Sequence, residues 1–236
     1  MHLHHLPLRG LTPYLHSSYL QETLARAILT SKSTSTPHKP PPPTILTAEF
    51  NPVYTTGRRT TALSPAEASL LFTDGRAEVH PSPRGGLTTF HGPGQLVAYP
   101  ILDLRAHGLS ARSYICLLEK SLIAVCARYG VPAQTTEHTG VWVTAERKIA
   151  SVGVHLRRNV SSHGVALNVS TDLWWFNRIV ACGLADKQMT SLEAEGATGV
   201  SVEDAGCAFV EEMAQRLSGV DGVVTVDEES LGNAAG

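Results

Sequence analysis

Arg84-Gly85-Gly86-Leu87-Thr88-Thr89-Phe90-His91-Gly92-Pro93-Gly94-Gln95 sets four glycines, a proline and a histidine into twelve residues. Such a stretch is a constrained loop. Glycine lets a backbone pass close to a ligand and turn its N–H groups inward. The same composition also serves a hairpin with tight turns, and the residues alone leave both readings open. A phosphate-binding P-loop is excluded, because no Gly-Lys-Ser/Thr follows.

Outward from this stretch, the patterning alternates between strands and helices. Upstream, Thr44 to Thr55 has strand character, and Ser64-Pro65 opens a short helix over Leu63 to Leu71. Leu15, Tyr19, Leu20, Leu24, Ala27 and Ile28 fall at helical spacing, which predicts an amphipathic helix over Leu15 to Leu29. Between these lies the Pro/Ser-rich stretch 31–43, read as a spacer loop ending in polyproline geometry. Downstream, Gly108 to Gly130 predicts the clearest helix, capped by Ser110 and stopped by Gly130 and Pro132. Val141-Trp142-Val143, Ile149 to His155 and Val165 to Val169 predict strands, Val202 to Leu217 a helix, and Val220 to Val226 a last strand. Strands and helices mix without regular alternation, so the expected class is α/β (α+β) with a mixed sheet. One domain is expected over 6–226, between an N-terminal tail at 1–5 and a C-terminal tail at 227–236.

Bulk properties bound the function class. The chain has 236 residues, 42% of them hydrophobic and 17% charged, an ordinary balance for a globular protein. A net charge of -2 provides no basic field for nucleic acid. No apolar run approaches the ~18 residues that a membrane helix needs. The four cysteines, Cys116, Cys126, Cys182 and Cys207, form no CxxC pair, which argues against structural zinc and a disulfide framework. Cys116 and Cys126 fall on the predicted helix of 108–130 and read as packing thiols. The stretch from His16 to Ser35 is Ser/Thr-rich and poor in acids, as mitochondrial transit peptides are, but Arg and Lys are sparse.

Two further places can carry chemistry. Lys148 opens the apolar strand Lys148-Ile149-Ala150-Ser151-Val152-Gly153, and strict alternation sets Lys148, Ala150 and Val152 on one face. A lysine among small apolar residues is partly desolvated, which suits it to proton transfer. An exposed lysine at a strand end is the plainer reading. Cys182 lies outside any periodic helix and precedes Gly183, which leaves room for a substrate carbonyl. Alone, one thiol beside a glycine is a packing residue as readily as a nucleophile.

Together and in this order, these stretches resemble the lipoyl(octanoyl) transferase family. Its pattern Arg-Gly-Gly-x-x-Thr-aromatic-His-Gly-Pro-Gly-Gln is met in full by Arg84 to Gln95, and Tyr99 to Leu104 continues it. Gly140 to Val143, Lys148 to Ser151, His163 to Asn168 and Cys182-Gly183 look like its later blocks. Ala181 stands where bacterial members usually carry proline, and Val165 where leucine is usual. The proline run and the Trp174-Trp175 pair look more like fungal members.

The resemblance implies a biotin/lipoate protein ligase-like fold, a mixed β-sheet flanked by helices, and octanoyl transfer in protein lipoylation. The implied donor is octanoyl-acyl carrier protein. The implied acceptors are lipoyl domains of 2-oxoacid dehydrogenase acyltransferase subunits and the glycine cleavage H protein. It implies no cofactor or metal, and a mitochondrial location. Cys182 matches the acyl-thioester nucleophile, and Lys148 the lysine that activates it. Substrate-binding segments are matched by Arg84, Gly85, Gly86, Leu87, Thr88, Thr89, Phe90 and His91, by Ser151, Val152 and Gly153, and by Gly164, Val165 and Ala166, with His163 in possible support. The alternatives are an ATP-dependent lipoate or biotin ligase on the same fold, a non-catalytic binding module of lipoate metabolism, and a cysteine hydrolase with His91 or His163 as its base.

Overall fold

The computed structural model describes residues 1–33, 40–60, 62–179 and 187–229. Its main sheet forms from strands β1 (His2–Thr12), β2 (Thr44–Phe50), β6 (Gln95–Ile101), β8 (Arg147–Arg157), β9 (Val160–Asn168), β10 (Gln188–Met189) and β11 (Gly222–Thr225). They run in the order β10-β8-β9-β6-β2-β1-β11, and the short β7 (Val141–Trp142) pairs with β8. β2, β6, β9 and β8 pair antiparallel in succession, whereas β1 is parallel to both β2 and β11. A smaller sheet holds β3 (Val53–Thr56) between β4 (Glu78–Pro81) and β5 (Thr89–His91).

Period-two alternation sorts the side chains of the central strands into two layers. Ile45, Leu96 and Ala98 join one core with α3 (Ala111–Arg128) and α4 (Val202–Arg216). Their neighbours Leu46, Val97 and Tyr99 join the other, under α1 (Tyr14–Ser31). The sheet is thus buried on both faces, which is why every β2 residue except Glu49 is buried, its threonines included. α3 begins where its sequence signals it: Ser110 accepts from the Ser113 N–H in a reciprocal capping box. Ser64 caps α2 (Pro65–Phe72) in the same way with Glu67.

Several expectations need correction. Residues 1–5 are not a tail: His2 to His5 pair with Gly222 to Thr225, and His5 is 5% exposed with its Nε2 2.8 Å from Thr47 Oγ1. Their polar composition hid a strand whose partner lies at the other end of the chain. Thr44 to Thr55 is two strands in two sheets, broken at Asn51-Pro52, because proline cannot continue a ladder. The glycine-rich stretch is partly strand, with Thr89 to His91 in β5 and Gln95 opening β6. Cys126 is buried as expected of a packing thiol, but Cys116 is exposed. Within the 31–43 loop, 34–39 lie outside the described residues, as do 230–236 of the C-terminal tail.

Candidate functional site

A cavity of about 420 Å³ opens where the 84–89 segment crosses β8 and β9. The crossing is held by backbone. Beyond Ala150 the outer edge of β8 has no ladder partner in β7 or β10, and there the Gly85 N–H donates to Val154 O at 3.0 Å. From the other side, the Arg58 and Arg59 N–H groups donate to the Arg84 and Gly86 carbonyls, each at 3.0 Å. A Cβ on Gly153 would stand 3.1 Å from Gly85 O and 3.3 Å from Arg84 Cδ, so the approach favours a glycine there. The buried Arg84 side chain donates from Nη2 to Thr55 O at 2.6 Å and to Thr55 Oγ1 at 2.8 Å.

Most of the residues singled out in the sequence meet in this cavity. Residues 84–89, His91, Lys148, 151–153 and 164–166 all line it. Phe90 and His163 do not. Phe90 is fully buried on the opposite face of β5, stacked on Trp175 with ring centroids 4.9 Å apart, because adjacent strand residues point to opposite faces. His163 is buried beside Tyr99, with φ at +55° and its backbone N–H bonded to Gln21 Oε1. Arg59, Tyr99, His138 and Met189 also line the cavity, and residue patterning did not single them out as site residues. Tyr99 was reachable from the sequence, since it continues the glycine-rich motif on β6.

Lys148 is 3% exposed and projects its amine toward Thr139 O, 3.0 Å away, and the Trp142 ring, 5.3 Å from Nζ to centroid. Strict alternation fails at this point. β7 pairs Val141 with Ala150 but Trp142 with Lys148, so β8 carries one extra residue. Through this bulge Ile149 and Ala150 both join the core under α3, and Lys148 turns to the cavity.

His91 is fixed by a relay of side-chain amides. Thr190 O can only accept, so Asn168 presents Nδ2 to it at 2.8 Å. Asn168 Oδ1 then accepts from Gln95 Nε2 at 2.9 Å, and Gln95 Oε1 accepts from His91 Nδ1–H at 2.7 Å. The ring is therefore the Nδ1–H tautomer, with Nε2 as its acceptor nitrogen. Burial, reinforced by the Arg84 cation and opposed by the Gln95 bond, pushes its pKa down to about 3. His163 is likewise pushed down to about 3, by burial first and then by Arg84.

Cys182 lies outside the described residues. Met189, seven positions after it in the chain, pairs with Lys148 in the β10–β8 ladder.

Residues 14–214 match the lipoyl protein ligase A/B catalytic domain. A Schizosaccharomyces pombe protein named "Probable octanoyltransferase" is 50% identical over 189 residues, covering 79% of this chain and 83% of that one. The Homo sapiens mitochondrial octanoyl-[acyl-carrier-protein]:protein N-octanoyltransferase LIPT2 is 41% identical over 199 residues, covering 83% and 85%. The chain belongs to the octanoyltransferases of this family. As a member it is an acyltransferase. Its fold is shared with the bi-partite lipoate protein ligase of Thermoplasma acidophilum, at a TM-score of 0.66 and 16% identity over 98% of this chain and 90% of that one. The mixed sheet flanked by helices is thus the lipoate-ligase fold that the resemblance implied.

Proposed function

We propose that this octanoyltransferase moves octanoyl from octanoyl-acyl carrier protein to a lysine of a lipoyl domain, through a thioester on Cys182. The observation that carries the reading is the convergence of Lys148 with segments 84–89, 151–153 and 164–166 on one cavity. The names of the fungal and human relatives support octanoyl as the acyl group and acyl carrier protein as its donor. The mitochondrial naming of the human relative supports the same compartment here. The acceptors we infer are lipoyl domains of 2-oxoacid dehydrogenase acyltransferase subunits and the glycine cleavage H protein.

In this mechanism the Cys182 proton passes to Lys148, and the thiolate attacks the octanoyl carbonyl. The carrier thiolate leaves and takes a proton from the Lys148 ammonium. The neutral amine of the acceptor lysine then attacks the acyl-enzyme and expels the Cys182 thiolate, Lys148 accepts the amine's proton and passes it to that thiolate, and Cys182 returns as a thiol beside a neutral Lys148. His91, neutral across the physiological range, serves as a hydrogen-bond acceptor in the cavity wall rather than as the base. The acyl tail lies against the small residues Gly85, Gly86, Gly153 and Ala166.

The test is octanoylation of a lipoyl domain from octanoyl-carrier protein without ATP, followed by mass spectrometry. Product is expected. A requirement for ATP with free octanoate would point instead to a ligase, and no turnover from either donor to a binding module.

A further inference from the structure

We propose that Glu119 is a positioning residue for Lys148 and acts through the Gly140 peptide. The inference rests on the reading of Lys148 as the acid–base partner, and it concerns how that amine is held. Glu119 lies on the inner side of α3 between Leu118 and Leu122, and it is 9% exposed. A buried carboxylate is unfavourable unless its oxygens are bonded. Its Oε1 accepts the Gly140 N–H at 2.9 Å. Glu119 does not line the cavity, whereas the neighbours of Gly140, His138 and Thr139, do.

The segment anchored in this way wraps the lysine. Thr139 O accepts from Lys148 Nζ at 3.0 Å, and Trp142, two residues beyond Gly140, sets its ring 5.3 Å from the same atom. The Trp142 Nε1–H closes the turn by donating to His138 O at 3.1 Å. Gly140 has φ at +122°, a region in which glycine is the default residue. A Cβ there would stand 2.5 Å from Lys148 Cε, 2.7 Å from Ala150 O and 3.0 Å from Nζ. The Gly140 peptide is thus the surface on which the end of the lysine rests. Its N–H points away from that surface and is bound by Glu119. Moving the carboxylate moves the peptide, and with it the Thr139 carbonyl that holds the amine.

The test reads Lys148 directly. Acetic anhydride labelling of Lys148 is measured by peptide mass spectrometry against Lys32 as internal reference, in the full chain and in Glu119→Asp and Glu119→Gln. Asp withdraws the acceptor oxygen by one methylene, and Gln keeps both reach and acceptor. Glu119→Asp is expected to change relative Lys148 labelling by at least about threefold and to lower kcat with little change in KM. Glu119→Gln is expected to label as the parent does. Unchanged labelling in Glu119→Asp would overturn the proposal. So would an equal change in both variants, which would mean that the charge acts on Lys148 through space. A Lys148→Ala arm separates the underlying reading: if octanoyl transfer survives it, the acid–base role fails, while the labelling still decides whether Glu119 positions the amine.

Discussion

Gln95 Nε2 donates to Asn168 Oδ1 at 2.9 Å, a buried bond between residues 73 positions apart. It joins the end of the glycine-rich motif to the end of β9. It also decides the protonation of the His91 ring, because Gln95 must then accept from Nδ1–H.

Replacing Gln95 with leucine removes this link while roughly keeping volume. It strands the His91 Nδ1–H and Asn168 Oδ1, and each buried unpaired group costs about 1–3 kcal/mol. Urea unfolding is expected to show a lower midpoint with an unchanged slope. A loss below about 1 kcal/mol would show that the relay is not held as described.

The buried histidines predict an acid-sensitive fold. Folded, His91 and His163 stay neutral down to about pH 3, whereas unfolded they protonate near 6.5. Between those values the unfolded chain binds more protons, so stability rises with pH and is lost as pH falls from about 6.5 toward 3. Urea midpoints across this window are expected to fall less steeply for His91→Gln and for His163→Asn, asparagine being tolerated at positive φ. Curves parallel to the parent's would contradict the assignment.

Much of this site was legible in the sequence. Residues 84–89 and His91 of the glycine-rich stretch, Lys148 and the 151–153 and 164–166 segments all line one cavity. What escaped depended on long-range pairing or on a local irregularity. β1 is a strand because β2 and β11 flank it, which no local pattern in Met1 to His5 discloses. The bulge beside Ile149 overrides the alternation from which the facing of Lys148 was read. Phe90 sits inside the motif but faces Trp175, since a motif of consecutive strand residues must serve two faces.

Acyl selectivity should be graded. Each methylene buried contributes about 0.8 kcal/mol, close to fourfold, so octanoyl should exceed hexanoyl by roughly 15-fold in kcat/KM. Steady-state kinetics with both carrier-bound acyl groups measures this ratio. A preference above about 100-fold would require a specific contact at the tail end rather than graded burial.

The central claim is a covalent octanoyl group on Cys182. Intact-protein mass spectrometry after mixing with octanoyl-carrier protein and no acceptor tests it most directly. A hydroxylamine-sensitive octanoyl adduct is predicted on the parent chain and none on Cys182→Ser; the same hydroxylamine-sensitive adduct persisting in Cys182→Ser would contradict the account.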